Sequence, residues 1–286
     1  MKNANLNTVL FNAAGIGLVV FLGGYMVYSA LHTETVAQCS ARYGDGQQFS
    51  LQKGEEAFSP IDLQARLPSR EWGLLENARV VVDKNSAFLQ VAVGPQNNPD
   101  DTKNDEDAEE NGKHRRDGVG FIWQPHNLRG THSGCLTYRV FLSKDFGLEQ
   151  RGTLPGLYGI DNADHVDVPA LEKGFITRLG WDRGGFAGLT LKSPQSVGMW
   201  IPAKGYTWPV NRWVQVEQEV VLNTPNKSDG IVRLWMDGAL RLEHKSLNLG
   251  ASDGMALSGV VSDVGYSEAG GKSARVTLSA FVVQGQ

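Results

Sequence analysis

From residue 78 onward, apolar and polar positions alternate in a series of short runs. A period of two places successive side chains on opposite faces, which is the mark of strands buried on one side. Ala78–Gly94 reads as two such runs around a turn at Lys84-Asn85. Val119–Gln124, Leu136–Leu142, Gly174–Trp181, Gly188–Ser193 and Val197–Ile201 follow, then Arg212–Leu222 and Gly230–Met236. Asp237-Gly238 supplies a two-residue hairpin turn into Ala239–His244. Ala256–Val261 and Ala274–Val283 close the series. Many short strands with turn signals between them predict an all-β body, a jelly roll or β-sandwich of two antiparallel sheets.

Three segments depart from this alternation. Val9–Leu31 carries no charge, and only Asn12 is strongly polar. At about 1.5 Å per residue it is long enough for a hydrocarbon core of about 30 Å. Tyr25 and Tyr28 stand near its outer end, Lys2 precedes it and Glu34 follows it, which favours an N-terminus inside the cell. The expectation is one transmembrane helix over 9–31 after a cytoplasmic tail over 1–8; the alternative is a signal peptide cleaved after Thr35-Val36-Ala37. Residues 32–77 form a lead-in in which Ser59–Leu67, with Ser before Pro and apolar Ile61, Leu63 and Leu67, predicts a short helix. The body spans 78–286. Within it, 96–118 lacks apolar periodicity and is dense in charge, which predicts a solvated loop.

Composition narrows the function classes. A net charge of −4 over 286 residues gives no sign of nucleic-acid binding. Thirty-four glycines and seven tryptophans suit a turn-rich β protein. No spacing of His, Cys, Asp or Glu resembles a metal site, and no cofactor is implied. The two cysteines, Cys39 and Cys135, leave two readings open: a disulfide, if the body lies outside the cytoplasmic membrane, or two buried thiols.

Alternation also assigns faces. In Gly174–Trp181, Phe175, Thr177, Leu179 and Trp181 point one way, and Ile176, Arg178 and Gly180 the other. Arg178 is then either an outward surface residue or a cation in a groove, where a guanidinium suits a carboxylate. Arg139 lies opposite Tyr138 in facing, and Thr190 shares a face with Lys192. If these strands are neighbours, one sheet face collects Arg139, Arg178, Lys192 and Tyr158, an arrangement suited to a polyanionic sugar chain.

The segment from Tyr138 to Gly159, "YRVFLSKDFGLEQRGTLPGLYG", together with "GFITRLGW" and Asn211–Leu240 with its Asp-Gly hairpin, resembles the jelly-roll alginate and glucuronan lyases. The resemblance covers roughly Val119 to Val283. It implies a β-jelly roll with a concave polysaccharide groove, in which Leu154-Pro155-Gly156 is a turn at the groove's edge. Such lyases cut uronate chains by β-elimination: a cation or amide neutralises the C6 carboxylate, a base removes the C5 proton, and an acid protonates the leaving oxygen. The resemblance places the family's Lys at Thr153, its Ser at Ile176, its Arg at Arg178, and its Tyr-x-Tyr pair at Thr190 and Lys192. Only the arginine is kept. Threonine is too weak a base near neutral pH to replace lysine. Rescue of catalysis rests on Tyr158 or Tyr138 as phenol, and on His132, His126 or His165 as imidazole.

The leading expectation is therefore a membrane-anchored envelope protein that binds an acidic, uronate-containing polysaccharide with degenerate catalysis. Its body lies on the periplasmic or extracellular side of the inner membrane. Arg139, Thr153, Arg178, Thr190 and Lys192 would bind substrate, and Arg178, Tyr158 and His132 would carry any surviving chemistry. The alternatives are an active lyase with a rearranged acid–base pair, and a structural component of an envelope or polysaccharide-export assembly with protein partners.

Overall fold

The alternating runs become strands because each buries one face against a facing sheet. The computed structural model describes residues 23, 36–67, 71–94, 117–161, 174–194, 196–250, 254–268 and 271–286. The expected membrane span, apart from Gly23, lies outside the described residues, as do His165 and the charged loop up to Arg116. Among the described residues no helix is long and apolar enough to cross a membrane. The chain divides into two compact units, Met1–Ala37 and Gln38–Gln286. All the strands among the described residues belong to the second.

These strands run in chain order β1 (Gln47–Phe49), β2 (Gln52–Lys53), β3 (Glu56–Ala57), β4 (Ala78–Asp83), β5 (Ser86–Val93), β6 (Val119–Trp123), β7 (Ser133–Leu142), β8 (Gly152–Asp161) and β9 (Phe175–Asp182). They continue as β10 (Phe186–Ser193), β11 (Ser196–Thr207), β12 (Trp213–Val221), β13 (Gly230–Met236), β14 (Ala239–Leu247), β15 (Met255–Tyr266), β16 (Ala274–Ser279) and β17 (Phe281–Gly285). A nine-stranded sheet has the order β14-β13-β12-β7-β16-β5-β4, with β17 also beside β7 and β1 beside β17. A six-stranded sheet has the order β11-β10-β9-β8-β15-β6. Every pairing between these strands is antiparallel. The non-consecutive neighbours give the crossing connections of a jelly-roll-like sandwich.

The core lies between the sheets. Val214, Val216 and Val220 of β12 face Phe175, Leu179 and Trp181 of β9, all buried. Phe49, Phe121, Trp123, Tyr138 and Phe281 form an aromatic cluster with ring centroids 5.3–6.1 Å apart. One polar link crosses this layer: Gln218 Nε2 donates to Thr177 Oγ1 at 2.7 Å, and Thr177 Oγ1 donates to the Leu157 carbonyl at 2.9 Å.

The short helix is formed as expected. It is α1 (Pro60–Gln64), with Ser59 and Asp62 capping each other's backbone amides in a capping box. A second short helix, α2 (Leu74–Asn77), precedes β4. The lead-in does more than its sequence pattern suggests, because it contributes β1 to the large sheet. Cys39 and Cys135 form a disulfide, which decides between the two readings of the cysteines. Beside it the buried Glu217 accepts from Gln38 Nε2 and Ser40 N, both at 3.0 Å. Glu219, also buried, pairs with Arg42 and Arg233 at 2.7 Å each and accepts from Tyr43 Oη at 2.8 Å. Burial, with the neighbouring Glu219 charge adding to it, pushes the Tyr43 phenol up to about 12. Two carboxylates sunk into a sheet face are tolerable because their oxygens find cations or donors.

One expectation is overturned. Leu154-Pro155-Gly156 is not an edge turn but part of β8, in the middle of the six-stranded sheet between β9 and β15. Thr153 pairs with Gly180 and Gly156 with Arg178, so Leu154 and Pro155 together oppose the single Leu179 of β9. This is a β-bulge. It accounts for the proline, since a bulge leaves a residue without a ladder donor. The Pro155 carbonyl is used instead by the Tyr138 hydroxyl, at 2.8 Å.

Candidate binding face on the six-stranded sheet

Residues opposite one another in an antiparallel pair share a face. The outward face of the six-stranded sheet can therefore be built row by row from Arg178. Arg178 stands opposite Thr190 on β10 and Gly156 on β8; Thr190 in turn stands opposite Trp200 on β11, and Gly156 opposite Val261 on β15. Val261 stands opposite Ile122 on β6. The next row runs Lys192, Ile176, Tyr158 and Gly259. On the other side lies a low strip of Gly188, Gly180 and Thr153. Beyond it, Asp263 stands opposite Gly120.

Two indoles flank this strip. The ring of Trp200 occupies the space a side chain at Gly188 would need, and the ring of Trp72 does the same at Gly120. They sit over β10 and β6, toward opposite edges of the sheet. An alanine at either glycine would collide with the indole, so the missing side chains are what let the rings lie against the backbone.

The structure thus brings Arg178, Thr153, Thr190, Lys192 and Tyr158 onto one face, as alternation and the family resemblance together require. It does not bring Arg139 or His132 there. Arg139 is on β7 of the other sheet, opposite Gln215. The intervening strand order, which alternation within single strands does not encode, separates it from Arg178. His132 also belongs to the large sheet's side: its amide donates to Gln286 O and its carbonyl accepts from Leu222 N. Both are removed from the Arg178 site.

Two further features differ from the expected open cationic groove. Arg178 Nη1 lies 3.1 Å from Asp263 Oδ2, with side chains 30% and 34% exposed. The guanidinium charge is therefore balanced by an acid of the protein itself. Among the described residues its Nε is buried without a hydrogen-bond partner, so the ion pair leaves one donor of the fork unused. The second feature is apolar filling. Ile122, Tyr158, Ile160, Ile176 and Val261 form a buried cluster on this face. Ile176 is part of that cluster. Tyr158 is buried within it, its hydroxyl accepting from Gln124 Nε2 at 3.2 Å, and burial raises its pKa to about 12. The phenol is thus closed off from solvent on this face.

Asp263, Trp200, Trp72 and Gln124 are members of the site that sequence reasoning does not find. Their signals are weak. Asp263 is a lone acid in an apolar strand, and its meeting with Arg178 depends on which strands lie together and on the bulge in β8.

The topology defines a jelly-roll-like sandwich of two antiparallel sheets. The model of the family described as polysaccharide lyase 14 matches residues 189–274, which include Thr190, Lys192, Trp200 and Asp263. Among solved structures, the chain is similar to the PL-14 alginate lyase from Aplysia kurodai, at 19% identity and a TM-score of 0.66, covering 84% of this chain and 98% of that one. It is also similar to alginate lyase vAL-1 from Chlorella virus, at 13% identity and a TM-score of 0.58, covering 76% and 92%. Alginate lyase Aly36B is similar at 12% identity and a TM-score of 0.57, covering 85% and 97%. At these identities the likeness establishes the fold. No curated protein sequence matches the chain.

Proposed function

We propose that the body binds an acidic polysaccharide across the Arg178 face and does not cleave it. The observation that carries this reading is the company Arg178 keeps. It sits between two indole platforms, on a fold shared with alginate lyases, while its flanking positions are Thr190, Gly156, Ile176 and a buried Tyr158. A sugar ring's apolar face suits an indole, and a uronate carboxylate suits a guanidinium. β-Elimination needs a base and an acid beside that carboxylate as well. Thr153 and Thr190 cannot supply them, and Tyr158 retains its proton. Lys192 is left as an exposed cation one step from Thr190 along the face, where it adds attraction for a polyanion.

The charge balance of Arg178 by Asp263 shapes the expected binding. A uronate must share or displace Asp263, so affinity per sugar is modest and rises with the number of sugars engaged. The Cys39–Cys135 disulfide supports an oxidising compartment. With the apolar run over 9–31, it supports an inner-membrane anchor with the body in the periplasm or outside the cell.

The test is to mix the full chain with alginate and with glucuronan, following both ultraviolet-absorbing unsaturated ends and retention on an immobilised polymer. The expected result is salt-sensitive retention without product. Appearance of unsaturated ends would establish instead an active lyase. Absence of both binding and product would favour a structural part in an envelope or export assembly.

A further inference from the structure

We infer that a second cleft, on the outer face of the nine-stranded sheet and lined by Arg139, binds a carboxylate-bearing sugar unit. It is separate from the Arg178 face and does not rest on the function proposed for that face. The cleft arises from a break in the sheet. β7 is paired with β16 along Val140–Leu142 and with β17 along Gly134–Thr137. Arg139 falls between the two, at the point where one strand hands over to the next. Its amide, left without a ladder partner, is satisfied by Ser279 Oγ at 2.8 Å. The gap opens a cleft of about 560 Å³, within the range of small-molecule sites.

Among the described residues, Arg139 is presented there without a counter-charge. Its Cζ lies 5.2 Å from the Trp213 ring centroid and 5.7 Å from that of Phe88, and the two rings are themselves 5.0 Å apart. This shelf holds the guanidinium in place through cation–π attraction and, among the described residues, leaves its donors unoccupied. Among the described residues it forms no ion pair, and none of the residues lining the cleft is acidic. This is the reverse of Arg178, which has an acid of its own. The surrounding walls are uncharged and rich in hydrogen-bonding groups: Gln48, Ser50, Gln52, Ser86 and Gln215. Gln52 Oε1 is buried at this wall with no donor to satisfy it. One unpaired, pre-oriented guanidinium among amides and hydroxyls fits a ligand with one carboxylate among several hydroxyls. A uronic acid residue has that chemistry; a purely apolar or cationic ligand does not.

The experiment is hydrogen–deuterium exchange on the full chain with a mannuronate trisaccharide, with maltotriose (hydroxyls without carboxylates) and with tri-glutamate (carboxylates without hydroxyls). The expected result is slower exchange over 47–54 and 84–90 with the trisaccharide alone. It should persist in Arg178→Gln, persist at reduced strength in Arg139→Lys, and weaken at least tenfold in concentration dependence in Arg139→Gln. Failure of the wild-type chain to show protection at millimolar trisaccharide would overturn the inference, whatever the variants do. So would equal protection by maltotriose or tri-glutamate, or full protection in Arg139→Gln. Protection confined to β8–β10 would support the Arg178 face and refute the cleft.

Discussion

Asp263 controls how much positive charge the Arg178 face presents, and Asp263→Asn is the substitution that exposes this. The amide is nearly isosteric with the carboxylate and removes one negative charge 3.1 Å from the guanidinium. Both side chains are about one-third exposed, so their mutual attraction is that of a partly screened surface pair, about 0.2–1 kcal/mol. A sugar carboxylate arriving at about 4 Å meets a nearly neutral pair in the native protein and a full positive charge in the variant. In well-solvated surroundings that difference is about 1 kcal/mol, or about fivefold in affinity for each uronate that reaches the site. The loss of the internal pair lowers stability by no more than about 1 kcal/mol, which a urea titration can separate from the binding effect. Calorimetric titration with a uronate oligosaccharide at low salt should show tighter binding for Asp263→Asn and weaker binding for Arg178→Gln. The gain should shrink as salt is raised. An unchanged or weaker affinity in Asp263→Asn would refute the idea that Asp263 competes with the ligand.

Replacing Cys39 and Cys135 together by Ser opens a loop with a sequence separation of 96 and should cost about 2–4 kcal/mol, read as a lower urea midpoint; a shift below about 0.5 kcal/mol would deny the bridge a stabilising part. Thr177→Val removes the shorter of the two acceptors of the buried Gln218 amide, leaving the Thr177 carbonyl at 3.4 Å, and should cost about 1–3 kcal/mol, whereas Gln218→Leu, which removes the polar group itself, should cost less; the reverse order in urea melts would contradict the assignment. Alkaline pH should unfold the protein. The phenols of Tyr138 and Tyr158 are raised by burial, the latter to about 12, against about 10 in the unfolded chain. Below pH ~10 both states hold these protons and stability is flat; above it the folded state binds more, so stability falls as pH rises. Tyrosinate absorbance appearing for all seven tyrosines before unfolding would count against it.

Strand identity and facing are readable because alternation is local. Phe175, Thr177, Leu179 and Trp181 turn inward and Ile176, Arg178 and Gly180 outward, as the pattern requires. Strand neighbours are not readable, because pairing is set by contacts far apart in the chain. Arg139 resembles Arg178 in its strand setting, yet β7 and β9 belong to different sheets. Asp263 escapes notice for the same reason: 85 positions separate it from Arg178, and β8 lies between their strands. The segment around Pro155 misleads because proline and glycine usually mark turns, and a bulge inside a central strand uses the same residues. Residues 36–49 give almost no periodic signal, since they are held by a disulfide and by side chains on Glu217 and Glu219 rather than by a repeating face.

The extra residue in β8 changes which of its side chains reach the outer face of the six-stranded sheet. In a regular strand Thr153 and Tyr158, five positions apart, would point in opposite directions. The bulge at Leu154-Pro155 resets the count, so both emerge on the same side while Leu154 and Leu157 stay inside. Deleting the extra residue would leave Thr153 and Tyr158 four positions apart and still on one side; a regular strand that kept every residue would have to turn Thr153 inward or drive Leu157 out and Tyr158 in. The bulge is thus the one place in β8 where a lost residue can be absorbed; an insertion or deletion elsewhere in the strand would change the lining of this face in a single step, leaving every other residue chemically intact.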